Sequence, residues 1–136
     1  MDLFETEHWK VILLENQAYL GRAILLHKQA AKNLSELNDK EWQTLHQVIK
    51  QLESAIKKAF KAEPFNWTCL MNDAYKENPP KPYVHLHLFP RYRDSVKVKE
   101  ETFTDPNFAH HYDKAAENIV SEETLKNIAE EIKKHL

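Results

Sequence analysis

Two short, mostly apolar runs, residues 9–14 (WKVILL) and 23–27 (AILLH), are separated by a polar turn at Glu15, Asn16 and Gln17 and by Gly21-Arg22. This punctuation predicts two strands paired as an antiparallel hairpin. From Trp42 the pattern changes: Leu45, Val48, Ile49, Leu52, Ala55, Ile56, Ala59 and Phe60 recur every three or four positions, which puts them on one stripe of a long helix. Asn38 with Glu41 three residues later resembles a capping box at its start, and Pro64 stops it. Residues 65–72 (FNWTCLMN) and 83–89 (YVHLHLF) then predict a third and a fourth strand, joined through the proline-rich 78–82 loop. Beyond Tyr92 comes a charged stretch expected to be irregular. A last helix is predicted from Glu122, with Ser121 as its N-cap and Leu125, Ile128, Ala129, Ile132 and Leu136 as its buried stripe.

These elements imply an α+β fold in one domain, with residues 1–92 as its core and 93–136 as a carboxy-terminal extension packed on it. The length of 136 residues suits a single core. Nineteen Lys and Arg against 21 Asp and Glu give a net charge of −2, which argues against a nucleic-acid or polybasic membrane surface. No apolar run approaches the roughly 18 residues of a membrane helix, and the acidic start, MDLFETEHWK, carries no secretory pattern. A cytoplasmic location is expected. One cysteine, Cys69, excludes a disulfide framework and a cysteine-rich zinc site. One glycine, Gly21, excludes both the GxGxxG fingerprint and the GxxxxGK[ST] phosphate loop.

The chemistry concentrates in the fourth strand. At period two, Val84, Leu86 and Leu88 share one face, while Tyr83, His85, His87 and Phe89 share the other. A His-x-His pair on a strand face admits three readings. It can be a structural pair whose ring nitrogens are satisfied by neighbours, or half of a metal site that His110 and His111 would have to complete. The known His-x-His metal folds fit poorly, because a glycine-rich all-β barrel is incompatible with the long helix and a (β/α)₈ barrel needs about 250 residues.

The third reading follows from the surroundings of the pair. The run 83–91 (YVHLHLFPR) resembles the signature of the histidine triad (HIT) family, three histidines alternating with apolar residues and often followed by Pro-Arg. Asn72 lies where the family carries an Asn or Gln closing the preceding strand, Asn16 where its ribose-binding residue stands, and residues 34–41 (LSELNDKE) look like its entry to the long helix. The similarity spans residues 9–92. It implies an antiparallel sheet with the long helix packed across one face, and a homodimer through helix and sheet edge. It also implies a hydrolase or transferase that attacks the α-phosphate of a dinucleoside polyphosphate or nucleoside phosphoramidate.

In that scheme His85 is the nucleophile, with its other ring nitrogen donating to a backbone carbonyl, and His87 contacts phosphate or leaving group. Asn72 donates to the same region and Asn16 holds the ribose. The covalent step needs no cofactor and no metal. Three departures stand out: the first triad position is Tyr83, the family's upstream histidine is Arg22, and Asn78-Pro79-Pro80 replaces its phosphate-binding segment. Proline has no N–H to offer phosphate, so Arg22 and Lys81 are the basic candidates for that contact. A nucleotide-binding homodimer without turnover, or a small histidine metalloprotein, are the alternatives.

Overall fold

The computed structural model describes all residues, 1–136. Its elements are β1 (Asp2–Glu5), β2 (Trp9–Leu13), β3 (Ala23–His27), α1 (Asp39–Phe60), β4 (Phe65–Thr68), β5 (His85–Pro90), β6 (Val96–Val98), β7 (Glu101–Phe103) and α2 (Glu122–Lys133). The first five strands form one antiparallel sheet in the order β1-β2-β3-β5-β4, so that β4 is an edge. No helix is long and apolar enough to cross a membrane.

Period-two alternation sorts the sheet into a buried and an open face. Trp9, Val11 and Leu13 on β2, Ala23 and Leu25 on β3, and Val84 and Leu88 on either side of the β5 start join one core with Leu45, Val48, Leu52, Ala55, Ile56 and Phe60 of α1. Helix α1 begins on the expected capping box, in which the Asn38 side chain accepts from the Glu41 N–H at 2.9 Å and Glu41 accepts from the Asn38 N–H at 2.9 Å. The single glycine sits where a side chain would be strained: Gly21 has φ +80°, and its N–H donates to Gln17 Oε1 at 2.7 Å. Gln17 Nε2 also donates to the Leu14 and Arg22 carbonyls, so one buried carboxamide clamps the hairpin bend.

Several elements differ from their sequence expectation. The third strand stops at Thr68 rather than Asn72, because Met71 takes a left-handed φ of 60° and turns the chain into a 3-10 turn at Asp73–Lys76. Tyr83 and Val84 precede β5 instead of belonging to it, although Val84 still exchanges backbone bonds with Ala31 and His27. The stretch expected to be irregular contains the β6–β7 hairpin, whose Val98 and Phe103 enter the main core. Trp42 is 44% exposed at the rim of the α1 stripe, and Leu136 lies in solvent past the end of α2. The other α2 stripe residues, Leu125, Ile128, Ala129 and Ile132, are buried in the same core as the strands. Ser121 caps α2 by accepting from the Thr124 N–H at 3.1 Å.

Residues 105–112 are tied down by one buried cation. The Arg91 guanidinium donates to both Asp105 carboxylate oxygens, at 2.7 and 3.2 Å, and to the carbonyls of Asn107 and His110, each at 2.6 Å. Asn66 Oδ1 accepts a further bond at 2.9 Å. Arg91 and Asp105 are each about 2% exposed or less at the side chain.

Candidate active site

The open sheet face carries the site. Pairing aligns Lys10 with Leu26 and His85 in one row, and Ile12, Ile24, His87 and Thr68 in the next. In the following row Phe89 lies opposite Asn66, and the Arg22 guanidinium stands 4.8 Å from the Phe89 ring centroid. Strand geometry thus brings His85, His87 and Arg22 onto one surface, with the apolar Ile12, Ile24 and Leu26 on its β2–β3 side.

His85 Nδ1 is 2.9 Å from the Tyr83 carbonyl oxygen. A carbonyl can only accept, so in the neutral ring the proton resides on Nδ1 and Nε2 keeps a bare lone pair. The Tyr83 ring lies 4.9 Å from the His85 ring at 36° and covers one of its faces, with the phenol exposed. His87 meets His85 nearly edge-on, at 5.2 Å and 82°.

Two polar atoms of this surface are buried without a partner, His87 Nδ1 and Arg22 Nε. Unpaired buried donors are costly, and here both belong to groups that bind anions. Burial, then the neighbouring His85 and Arg22, hold the His87 imidazole below its usual range. Burial likewise depresses the Arg22 pKa, though a guanidinium remains charged. Asp73, at the start of the 3-10 turn, is kept acidic mainly by its ion pair with Lys76 and secondarily by both site histidines.

The lowered His87 value has a pH consequence. The unfolded imidazole titrates near ~6.5, so as pH falls through that value the unfolded chain takes up a proton that the folded chain resists. Stability then drops with acidification. We expect the His87 midpoint in an NMR titration to lie below that of an unstructured histidine, and a midpoint at or above it would contradict this environment.

The remaining candidates are placed differently. Asn72 caps no backbone group with its side chain and sits at the loop entrance after β4. Lys81 is exposed in the proline-rich loop. Asn16 is already engaged: its Oδ1 accepts from the Ala18 and Asn118 N–H groups, and its Nδ2 donates to the Ala116 carbonyl, all at 3.1 Å. Its Oδ1 thus accepts once from the hairpin turn and once from the carboxy-terminal segment, and in this conformation Asn16 ties the two together. His110 and His111 return to the edge of β4, and nowhere do three His, Cys, Asp or Glu side chains converge on a position that could hold a metal ion.

Sequence reasoning missed Tyr112, whose ring stacks on Phe89 at 3.9 Å and 8°, walling off the site beyond His87. Tyr19 supports this wall edge-on and accepts from the Asp113 N–H at 2.6 Å. No local signal marks either residue, since the stack joins segments far apart in the chain.

Comparison with known structures agrees with this architecture. A histidine triad (HIT) protein from Sinorhizobium meliloti 1021 superposes with a TM-score of 0.77 at 20% identity, covering 100% of this chain and 89% of that one. A histidine triad protein from Marinobacter aquaeolei VT8 gives 0.71 at 19% identity, covering 100% and 88%. A hypothetical histidine triad nucleotide-binding protein from Sulfolobus tokodaii strain 7 gives 0.66 at 19%, covering 98% and 81%. A sequence search of curated proteins gives no significant match. The HIT domain family model matches residues 3–94. With the motif strand, the antiparallel sheet and the long helix all in place, the chain belongs to the HIT domain family.

Proposed function

We propose that this protein is a nucleotide hydrolase or nucleotidyl transferase acting through a nucleotidyl-histidine intermediate. The observation that carries the reading is the His85 Nδ1 contact with the Tyr83 carbonyl at 2.9 Å, which in the neutral ring leaves Nε2 as the bare nitrogen. Neutral imidazole is a competent nucleophile. Nε2 attacks the α-phosphorus, a P–N bond forms, and the bond to the leaving oxygen breaks with its electron pair. Water then attacks the phosphorus, the P–N electrons return to Nε2, and nucleoside monophosphate is released. His87 Nδ1 and Arg22 Nε, buried and unpaired, would donate to phosphate oxygens, with Asn72 and Lys81 at the rim. The apolar strip of Ile12, Ile24 and Leu26 suits the nucleoside. No metal or cofactor enters the scheme.

The leaving group is the point where Tyr83 and Arg22 matter. A phenol is barely ionised near pH 7 and a guanidinium is always charged, so neither shuttles a proton as imidazole does. Burial lowers the His87 pKa, so near pH 7 its ring seldom carries a second proton to donate. The enzyme should therefore favour leaving groups that need little protonation, a dinucleoside polyphosphate over an alkyl phosphoramidate. A product assay on a panel of adenylated and guanylated substrates tests this. The polyphosphate is expected to be cleaved faster, and Tyr83→His to narrow the gap. A strong phosphoramidate preference unchanged in Tyr83→His would show that Tyr83 only packs on His85.

The reading includes a homodimer, supported by the open edge of β4 and the exposed Trp42 indole on α1. Light scattering that returns the monomer mass would remove the dimer from it. Residues 1–92 serve as the HIT core, with 93–136 as an extension of the same domain, and the expected setting is the cytoplasm. A nucleotide-binding protein without turnover is the second reading, favoured by Tyr83 and Arg22 standing where the family carries histidines. Product formation separates the two.

A further inference from the structure

We propose that His27, the buried last residue of β3, is a positioning residue for His85: its ring closes the 27–31 turn that clamps Val84, and so aims the Tyr83 carbonyl at His85 Nδ1. The effect on turnover rests on the hydrolase reading, whereas the effect on the His85 ring does not.

The clamp is a closed set of bonds. The His27 N–H donates to the Val84 carbonyl at 3.0 Å, and the Val84 N–H donates to the Ala31 carbonyl at 2.7 Å. Both backbone groups of Val84 are therefore held by the turn. The Ala31 N–H in turn donates to His27 Nδ1 at 3.0 Å. Between these residues Ala30 takes φ +52°, a left-handed conformation disfavoured for a residue with a side chain. The ring bond fixes the turn in this shape, and with it the direction of the Ala31 carbonyl.

The link to His85 is one peptide plane. The Tyr83 carbonyl and the Val84 N–H belong to the same planar unit. Ala31 holds its N–H side, and His85 Nδ1 lies 2.9 Å from its carbonyl oxygen. Releasing Ala31 frees this plane to rotate, which turns away the acceptor that keeps the His85 proton on Nδ1.

The protonation pattern is fixed by the partners. A backbone N–H only donates, so His27 Nδ1 is bare and its ring proton resides on Nε2. That nitrogen stands 3.2 Å from Glu41 Oε1, off the line of a hydrogen bond but facing an acceptor. The Asn38 N–H is the largest influence holding the Glu41 carboxyl below its usual range, so the carboxylate stays ionised near neutral pH. The Trp9 ring packs 5.1 Å from the imidazole. In their neutral forms His27 and His85 thus carry opposite tautomers.

The test uses the full chain and has two arms. In the first, nitrogen NMR of the neutral histidine rings is expected to place the proton on Nε2 in His27 and on Nδ1 in His85. His27→Asn sets its carboxamide oxygen near the place of Nδ1 and is expected to keep the His85 tautomer. His27→Gln reaches toward Glu41 instead, and is expected to let His85 drift to the mixture of an unstructured histidine. In the second arm, with a dinucleoside polyphosphate as substrate, His27→Gln is expected to lower kcat about tenfold with KM changed less than about twofold, and His27→Asn to recover most of the loss. A His27 proton found on Nδ1 overturns the inference, as does an unchanged His85 tautomer, or an unchanged kcat in an active enzyme, for folded His27→Gln. Lost stability without those changes marks His27 as a packing residue only. Should His27→Gln not fold, amide exchange in the wild type decides: Ala31 and Val84 are expected to be protected together, and rapid exchange at Ala31 alone overturns the clamp. Absence of turnover in the wild type sinks the hydrolase reading alone, because the ring and amide measurements need no substrate.

Discussion

Replacing His85 with alanine is expected to lower turnover by more than about a hundredfold while leaving fold and nucleotide affinity close to those of the wild type. The side chain is partly exposed at the start of β5 and makes one hydrogen bond, to the carbonyl two residues before it. Its removal opens no cavity in the core, so the loss reports chemistry and not unfolding. Two measurements separate these outcomes: single-turnover kinetics with a labelled nucleotide, which should trap a covalent adduct only in the wild type, and the urea midpoint, which should barely change. More than about one part in a hundred of wild-type activity in His85→Ala would end the covalent mechanism, since other groups rarely replace a lost nucleophile so well.

The largest stability effect is expected at Asp105. Asp105→Ala leaves the Arg91 guanidinium buried with its counter-charge gone, and it also removes the acceptor for the Tyr92 and Asn107 backbone N–H groups. Breaking one side of a buried pair typically costs about 3–5 kcal/mol, because the remaining charge is stranded rather than because the pair itself is strongly stabilising. Chemical denaturation should register that loss. The double variant Arg91→Met with Asp105→Ala should recover part of it by removing the stranded charge. A change under about 1 kcal/mol in Asp105→Ala would mean that water reaches Arg91 freely and that residues 105–112 are not anchored as described. The same guanidinium that pairs with Asp105 also holds the His110 carbonyl, so the loss of Asp105 is expected to loosen the returning segment.

The features legible in the amino-acid sequence are those that depend on near neighbours along the chain. Strand β3 follows from an apolar run bounded by turn residues and helix α1 from apolar periodicity, the α1 start from a capping box formed within four residues, and the α2 start from Ser121. His85 and His87 share a face because side chains two apart on a strand point the same way, wherever that strand lies. Strands β6 and β7, of three residues each, are too short to display a period, and the break after Thr68 rests on one left-handed residue, Met71, that no composition announces.

Tertiary structure alone decided which distant groups meet. Asn16 reads in the sequence as a turn residue, yet two of its three side-chain partners lie about a hundred residues on, at 116 and 118. Arg91 follows the motif strand as a surface-like basic residue would, yet the returning chain buries it, and only that return sets Tyr112 on Phe89. The physical reason is that periodicity reports how much of each side chain leaves water, and on which face. It carries no information on the partner, because contacts between remote segments depend on the path of the whole chain.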